Sequence, residues 1–289
     1  MQVRAKCTRY TGEVLTNADI AEFQERVWNY YRSHQRDMPW RDQPTPYYVL
    51  VSEFMLQQTQ VSRVIPKFEA FVARFPSLDD VADAPLADIL SLWSGLGYNR
   101  RAKFLWLSAQ MVTTGFGGKI PDTLQELVRL PGVGVNTAGA ILAYAYNQPV
   151  VFIETNVRTV LLHYFFETEI SPVTDEQLRD YAAQAFDLEH PREWYWAMMD
   201  YGTFLKRSGQ GRLAMSAQHR KQAPLKGSLR EMRGRIIASL VDGSLEESAL
   251  REQVSADERY EPAIAALQSE GLVVQKGEYL GLTGAQDTR

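Results

Sequence analysis

Apolar residues recur every three or four positions along most of the chain, which is the spacing of amphipathic helices. The first such segment begins at Asn17, a suitable N-cap, and continues through Phe23 and Val27, so a helix is predicted over residues 17–33. Only Val150–Ile153 is strand-like. Further helices are predicted over residues 47–57, 61–74, 86–93, 98–114, 123–129, 136–146, 156–166, 174–187 and 192–206. The chain is therefore predicted to be all-helical through about residue 207.

The pattern changes toward the end of the chain. Three helices are predicted over residues 228–242, 246–254 and 258–270. Gly271–Gly281 then predicts two short strands around a Lys-Gly turn. Three helices followed by a hairpin are typical of a winged helix, and a small α+β cap fits the same order.

Length and composition narrow the class of protein. The chain has 289 residues, of which 45% are hydrophobic, as in globular proteins. It has no apolar run long enough to span a bilayer and no signal-peptide core in Met1–Thr11, so a cytoplasmic protein is expected. Its single cysteine, Cys7, excludes an internal disulfide and a four-cysteine metal or iron–sulfur site. The four histidines show no ligand spacing, so no metal site is predicted.

The net charge of −4 conceals a basic segment. Between Lys206 and Arg235 there are nine basic residues and one acidic residue, Glu231. A local basic stripe of this kind suits phosphate binding, although a solvated basic linker has the same composition.

Leu130–Ala138 joins two predicted helices through a Gly-Val-Gly turn. Gly132 and Gly134 permit a tight loop, and the loop leads into a helix N-terminus, where free backbone N–H groups bind anions. Asn136 and Thr137 lie in the first turn of that helix. The segment has the form of a helix-hairpin-helix that binds a DNA backbone, although a plain tight turn would look similar.

Two acidic residues carry candidate chemistry. Glu53 lies in an apolar helical segment, where burial raises the pKa of a carboxylic acid and suits a general acid. Glu154 follows an apolar run and begins a helix, where the helix dipole favours the ionised form. One neutral and one ionised carboxyl group are what cleavage of a glycosidic bond requires. An exposed Glu53 and a Glu154 that only caps a helix are the alternatives.

Several segments together resemble one family, the helix-hairpin-helix DNA glycosylases, and within it the A/G-specific adenine glycosylases of the MutY type. The resemblance runs in unbroken order from residue 20 to about residue 205. The matching segments are Met38–Arg41, Pro46–Val49, Ser52–Gln60, Arg74–Pro76, Leu92–Tyr98, Leu130–Gly134, Thr137–Leu142, Asn156–Arg158 and Met198–Gly202.

The resemblance implies a role for each matching residue. Glu53 is the general acid, and Asn156 is a polar neighbour of the catalytic carboxylate, Glu154. Asn136 stands where bifunctional members carry a Schiff-base lysine, and an amide cannot form that adduct, so base excision without lyase activity is expected. The implied DNA contacts are Gln57 and Gln58 inserted near the flipped base, Tyr98 as a wedge, and Trp40 and Arg41 beside the pocket.

Three features depart from the family. Glu154 replaces an aspartate, and about an ångström of misplacement can lower a rate on the order of a hundredfold. Four cysteines that bind an iron–sulfur cluster in most members are missing, and we expect Arg220 and Lys221 to replace the DNA contact of the cluster loop. Residues 228–284 are too short for the β-rich domain that recognises 8-oxoguanine.

These observations predict an all-α, two-lobed helix-hairpin-helix glycosylase fold with a small C-terminal winged-helix-like α+β domain. The predicted parts are an arm (1–16), a glycosylase domain (17–207; one lobe about 36–147, the other 17–35 and 148–207), a basic linker (208–227), the winged-helix-like domain (228–284) and a tail (285–289).

The predicted function is monofunctional excision of a mispaired base, adenine opposite 8-oxoguanine or guanine. A thymine or uracil mismatch glycosylase and a catalytically impaired DNA-binding relative are the alternatives. The expected partner is double-stranded DNA with a mismatch or lesion, bound by a nucleoid-associated monomer. No cofactor is expected beyond a monovalent cation that the resemblance allows at the Pro131–Gly134 hairpin.

Overall fold

The structure, a computed structural model, describes residues 14–167, 169, 171–218 and 224–285. Within them the first twelve helices are α1 (Asn17–His34), α2 (Pro39–Asp42), α3 (Pro46–Leu56), α4 (Val61–Arg74), α5 (Leu78–Asp83), α6 (Leu86–Trp93), α7 (Arg100–Gly115), α8 (Leu124–Leu127), α9 (Val135–Tyr146), α10 (Thr155–Phe165), α11 (Asp175–Gln184) and α12 (Pro191–Arg207). A single 3-10 turn follows at Leu213–Met215.

The predicted helices are present with ends shifted by up to three residues. The pattern missed α2 and α5 because each is too short to show a helical period. Local chemistry nonetheless specifies both: Pro39 starts α2 at a position where its missing N–H costs nothing, and Ser77 and Asp80 cap the N-terminus of α5 reciprocally.

The strand predicted at Val150–Ile153 is wrong, because this segment has no strand partner in the described part of the chain. The side chain of Tyr195 forms hydrogen bonds with the backbone of this segment instead. The Tyr195 hydroxyl accepts from the N–H of Phe152 at 2.8 Å and donates to the carbonyl of Val150 at 3.0 Å. The rings of Phe152 and Tyr195 stack 4.0 Å apart, so the apolar run is extended and buried without a sheet.

The chain divides into two compact units, and the first contains residues 1–44 and 134–221. Its centre is the crossing of α10 and α12. Gly202 makes the close approach there: an added Cβ would lie 2.5 Å from the carbonyl oxygen of Asn156. The buried Asp200 carboxylate pairs with Arg36 at 2.6 Å and with Arg41 at 2.9 Å, which ties α12 to α2 and to the segment that precedes it.

The second unit contains residues 45–133 and 222–289. Helices α3 to α7 surround a core in which Phe54, Phe71 and Trp93 are fully buried. The prediction placed residues 36–147 in one lobe, whereas α9 belongs to the first unit and residues 222–289 cluster with residues 45–133.

The C-terminal part of the second unit has the predicted small α+β architecture. It consists of α13 (Leu229–Ser239), β1 (Leu245–Glu246), α14 (Glu247–Gln253), α15 (Tyr260–Ser269), β2 (Val273–Lys276) and β3 (Tyr279–Leu282). The sheet is antiparallel in the order β1-β3-β2, with Val273 opposite Leu282. Only the two-residue strand β1 was not predicted.

No helix in the described ranges is both long and apolar enough to cross a bilayer.

Candidate functional site

Glu154 is the N-cap of α10 and its carboxylate folds back onto the start of the helix. One carboxylate oxygen, Oε1, accepts from the backbone N–H of Asn156 at 2.5 Å and from that of Val157 at 2.7 Å. These are two of the N–H groups that a helix leaves without an intrahelical partner. The longer glutamate side chain is therefore accommodated by a bend that directs its carboxylate to the helix end.

The Asn156 side chain completes this arrangement. Its Nδ2 lies 3.3 Å from Oε2 of Glu154 and 3.4 Å from Sδ of Met199 on α12. The residue is buried, and its backbone packs against Gly202. Asn156 thus contacts both oxygens of the carboxyl group, one through its backbone and one through its side chain.

Burial raises the pKa of Glu154, and this effect exceeds the opposing effects of the Val157 N–H, the nearby Lys206 ammonium, the Asn156 N–H and Arg158. The N–H groups at the start of α10 thus favour the ionised form, as predicted, but burial has the larger effect on the pKa of Glu154. The backbone N–H groups at the helix end and the cations Lys206 and Arg158 stabilise the ionised carboxylate, but by less than desolvation destabilises it.

Asn136 lies in the first turn of α9 and is connected to the segment before Glu154. Its Nδ2 donates to the carbonyl oxygen of Ile153 at 2.9 Å. Gly134 caps the N-terminus of α9, and Gly134, Val135 and Asn136 are exposed there, with Thr137 partly buried behind them. The helix end is thus open to an anion, and its phosphate-binding role stays a prediction.

In the second unit Gly132 has a left-handed backbone with φ of 79°. A Cβ there would lie 2.7 Å from the Phe104 ring and 2.9 Å from the Phe54 ring. The turn is consequently restricted to glycine by both conformation and space. Ser108 donates to the carbonyl of Pro131 at 3.0 Å and positions the turn against α7.

Glu53 lies on α3 and is partly exposed between the buried residues Ser52 and Phe54. The residue is thus partly exposed on a mostly apolar helix. Its role as the general acid stays a prediction.

Gln57, Gln58 and Tyr98 line one cleft of about 490 Å³ in the second unit. Gln58 and Tyr98 both have left-handed backbones, with φ of 56° and 49°. Non-glycine residues seldom adopt this conformation, and where they do the surrounding structure must stabilise it. The predicted wedge residues thus lie together, on two adjacent strained turns.

Arg101 stabilises both turns, and the sequence analysis missed it. The residue is 6% exposed and its guanidinium lies 5.5 Å from the centre of the Tyr98 ring. Burial lowers its pKa to about 10. The sequence does contain one indication of its role: Arg101 lies on the apolar face of the predicted helix, in register with Leu105 and Val112. Its hydrogen-bond acceptors are the carbonyls of Phe54 (2.8 Å), Met55 (2.9 Å), Gln57 (2.6 Å) and Gly97 (3.0 Å) and the hydroxyl of Thr59 (3.0 Å).

Trp40 and Arg41, expected beside the pocket, are in the first unit. Trp40 is buried, and Arg41 forms two 2.9 Å hydrogen bonds with Asp200 and lies over the Trp196 ring at 5.5 Å. This geometry gives both residues packing roles, and their DNA contact stays a prediction. Arg220 and Lys221 lie outside the described residues.

Within the described ranges no three His, Cys, Asp or Glu side chains are placed to bind a metal ion together. The predicted absence of a cofactor, and the monovalent cation at the hairpin, stay predictions.

Comparison with known proteins points to one family. Residues 51–184 match the family described as HhH-GPD superfamily base excision DNA repair protein. The adenine DNA glycosylase of Buchnera aphidicola subsp. Baizongia pistaciae is 35% identical over 184 residues, which are 63% of this chain and 52% of that protein. The Mycobacterium tuberculosis enzyme is 46% identical over 133 residues, 46% of this chain and 43% of that protein. The chain spans about half the length of these curated relatives.

Solved structures show the same fold. A thermostable thymine-DNA glycosylase superposes with a TM-score of 0.59 at 24% identity, covering 64% of this chain and 87% of that one. Endonuclease III in a non-covalent DNA complex gives a TM-score of 0.55 at 18% identity, covering 66% and 87%. The predicted helix-hairpin-helix glycosylase fold is confirmed.

Proposed function

We propose that this chain, whose residues 51–184 match the HhH-GPD superfamily of base excision DNA repair proteins, is a monofunctional DNA glycosylase. Its substrate is a mispaired base in double-stranded DNA, adenine opposite 8-oxoguanine or guanine. The observation that carries the proposal is the Glu154 carboxylate, which lies at the start of α10 with hydrogen bonds from the backbones of Asn156 and Val157 and from the Asn156 side chain.

Each acidic residue has one part in the reaction. Glu53 donates its proton to the purine, the bond from C1′ to the base nitrogen breaks, and the base leaves with the bonding electron pair. The sugar becomes oxocarbenium-like, and the negative charge of Glu154 stabilises it. Water adds at C1′ and gives its proton to the Glu53 carboxylate, which restores the acid and leaves an abasic site in the DNA.

The DNA contacts lie on backbone turns and on the basic segment. The Gly132–Gly134 turn and the first turn of α9, with Asn136 and Thr137, bind phosphate. Gln57, Gln58 and Tyr98 enter the space that the flipped base leaves, which offsets the lost stacking. Arg220 and Lys221 contact the backbone, so neutralising both would reduce the salt slope of DNA binding by about two. An unchanged slope would exclude that contact.

The proposal includes no Schiff-base step. Asn136 stands at the lysine position of bifunctional members, and its amide donates to the Ile153 carbonyl. The protein is therefore expected to leave the DNA strand intact, and the strand breaks at the abasic site only when alkali is added.

Single-turnover excision tests the proposal. Labelled duplexes carry A, T, U or C opposite 8-oxoguanine or guanine, and each reaction is developed with and without alkali. We expect cleavage of the adenine duplexes only after alkali. Cleavage of the T or U duplexes would instead identify a thymine or uracil mismatch glycosylase.

The Glu154→Gln variant is the control, because it removes the charge and keeps an oxygen that can cap α10. Its excision rate should fall on the order of a hundredfold or more while duplex binding remains. If wild-type protein binds mismatched duplex and excises nothing, the impaired DNA-binding alternative replaces the proposal.

A further inference from the structure

The C-terminal domain contributes one wall of the cleft that contains the wedge residues. Its lining includes Gln57, Gln58 and Tyr98 and also Arg230 and Arg233 of α13. All of these residues belong to the second compact unit. The sequence alone does not indicate a role for this domain.

Direct contacts join α13 to the wedge. The Arg230 guanidinium lies 5.0 Å from the centre of the Tyr98 ring, and its Nη1 donates to the Tyr98 hydroxyl. Arg233 pairs with Glu270 at 2.9 Å, and Lys103 of α7 donates to the Glu270 carbonyl at 2.5 Å. The position of α13 is therefore fixed on α7, at the side of Tyr98.

We propose that Arg230 of α13 contacts the base of the unpaired nucleotide in the partner strand, beside the wedge residues. The inference rests on the proposed function, because removal of one base from the stack is what leaves its partner unpaired.

The lining has the three kinds of group that bind a nucleotide. Tyr98 and Phe104 bring aromatic rings to the lining, and Gln57 and Gln58 offer amides for base edges. The guanidinium groups favour an anionic ligand, because Arg100, Arg101, Arg230 and Arg233 outnumber the one acidic lining residue, Glu270. The volume of about 490 Å³ is in the range of small-ligand sites.

The domain's other helices are less suited to DNA. In a winged helix the third helix commonly enters the major groove, but α15 has no Lys or Arg between Tyr260 and Ser269. Arg251 pairs with Glu247 and Glu261, and Arg259 pairs with Glu231 at 3.0 Å. The cleft side of α13 is therefore the nucleic-acid face that the charges favour.

Binding to two matched duplexes tests the inference with the full chain. Both carry a tetrahydrofuran abasic analogue in one strand. The partner position holds guanine in the first duplex and a second abasic analogue in the other. Affinities are measured by fluorescence anisotropy for wild type, Arg230→Gln, Arg230→Lys and Arg251→Gln. Arg251→Gln is the control, because it also removes one positive charge from the C-terminal domain but at a position outside the cleft.

We expect wild type and Arg251→Gln to bind the guanine duplex about tenfold more tightly than the doubly abasic one. Arg230→Gln should abolish this preference, and Arg230→Lys should restore it only in part, because lysine lacks the planar donor pair. Circular dichroism confirms that each variant is folded.

An Arg230→Gln variant that keeps the preference would overturn the inference. Equal weakening on both duplexes would also overturn it, since Arg230 would then contact only the backbone. Excision by wild type, measured separately, reports on the proposed function. If the wild-type protein excises no base but its preference for the guanine duplex still depends on Arg230, the proposed function is refuted. The contact between Arg230 and the unpaired base would then still stand.

Discussion

The Oε1 atom of Glu154 lies 2.5 Å from the backbone nitrogen of Asn156, and the Asn156 side-chain amide lies 3.3 Å from Oε2. Each residue thus positions the other at the start of α10. A shorter side chain could keep either the capping hydrogen bonds or the position of the carboxylate, but not both.

Glu154→Asp should lower the single-turnover excision rate on the order of a hundredfold, because the carboxylate moves by about an ångström relative to Asn156. The melting temperature should change little, since Asp is a good N-cap. Glu176→Asp, at an exposed position in the first turn of α11, is the matched control. A faster variant would mean that Glu154 impairs a site built for aspartate.

The pH profile should report the raised pKa of Glu154. The ionised form stabilises the oxocarbenium-like state, so the rate should fall with decreasing pH, beginning above the ordinary glutamate pKa of about 4.3. Single-turnover rates from about pH 5 to pH 8 measure this. A profile that stays flat down to the ordinary pKa would contradict it.

The raised pKa of Glu154 also affects the stability of the fold, and stability changes with pH in the opposite direction to the excision rate. A carboxyl group whose pKa is higher in the folded state stabilises the fold below its unfolded pKa, and this contribution is lost as the pH rises through the folded value. Glu154→Gln should therefore match or exceed the wild-type melting temperature at pH 7, with the gap in its favour narrowing in acid. A variant that is less stable at pH 7 would show that the capping bonds of the carboxylate outweigh its desolvation.

Arg101→Lys should weaken both wedge turns. Lysine cannot reach all of the carbonyls that the guanidinium contacts, and buried acceptors without a donor cost about 2 to 4 kcal/mol in the free energy of unfolding. Chemical denaturation measures that loss, and DNA binding should weaken because Gln58 and Tyr98 lose their support. Arg129→Lys, on an exposed residue, is the control. Unchanged stability would refute the positioning role.

Gly202→Ala should displace Asn156, because the new Cβ would meet the Asn156 carbonyl oxygen at 2.5 Å. We expect about 1 to 3 kcal/mol of destabilisation and a clear drop in excision rate. Gly115→Ala, which meets nothing within 4 Å, should leave both unchanged. Normal activity in Gly202→Ala would show that α10 and α12 can separate without cost to the site.

Borohydride should trap no covalent DNA adduct with the wild-type protein, because Asn136 supplies no amine. Lys206 is the informative control, since desolvation lowers its pKa and its charge interacts with Glu154. An adduct that disappears in Lys206→Gln would contradict the monofunctional assignment and identify Lys206 as the nucleophile.

Much of the fold could be predicted from local pattern. The ends of α4 and α6 match the predicted ranges, and the hairpin of β2 and β3 forms around the expected turn. The segment Val150–Ile153 was predicted wrongly because an apolar run does not reveal whether a strand partner exists. Tyr195, more than forty residues away, supplies the hydrogen bonds in its place.

The sequence by itself identified the order of the short motifs and the candidate site residues Glu53, Glu154 and Asn136, because motif spacing and side-chain chemistry are local properties. Only the tertiary structure decided that Arg101 joins the turns of Gln58 and Tyr98, that Arg41 is paired with Asp200, and that Arg230 stacks on Tyr98. The contacts of Arg101 with Gln57, of Arg41 with Asp200 and of Arg230 with Tyr98 bring together residues far apart in the chain, and packing selects such partners, which no local pattern records.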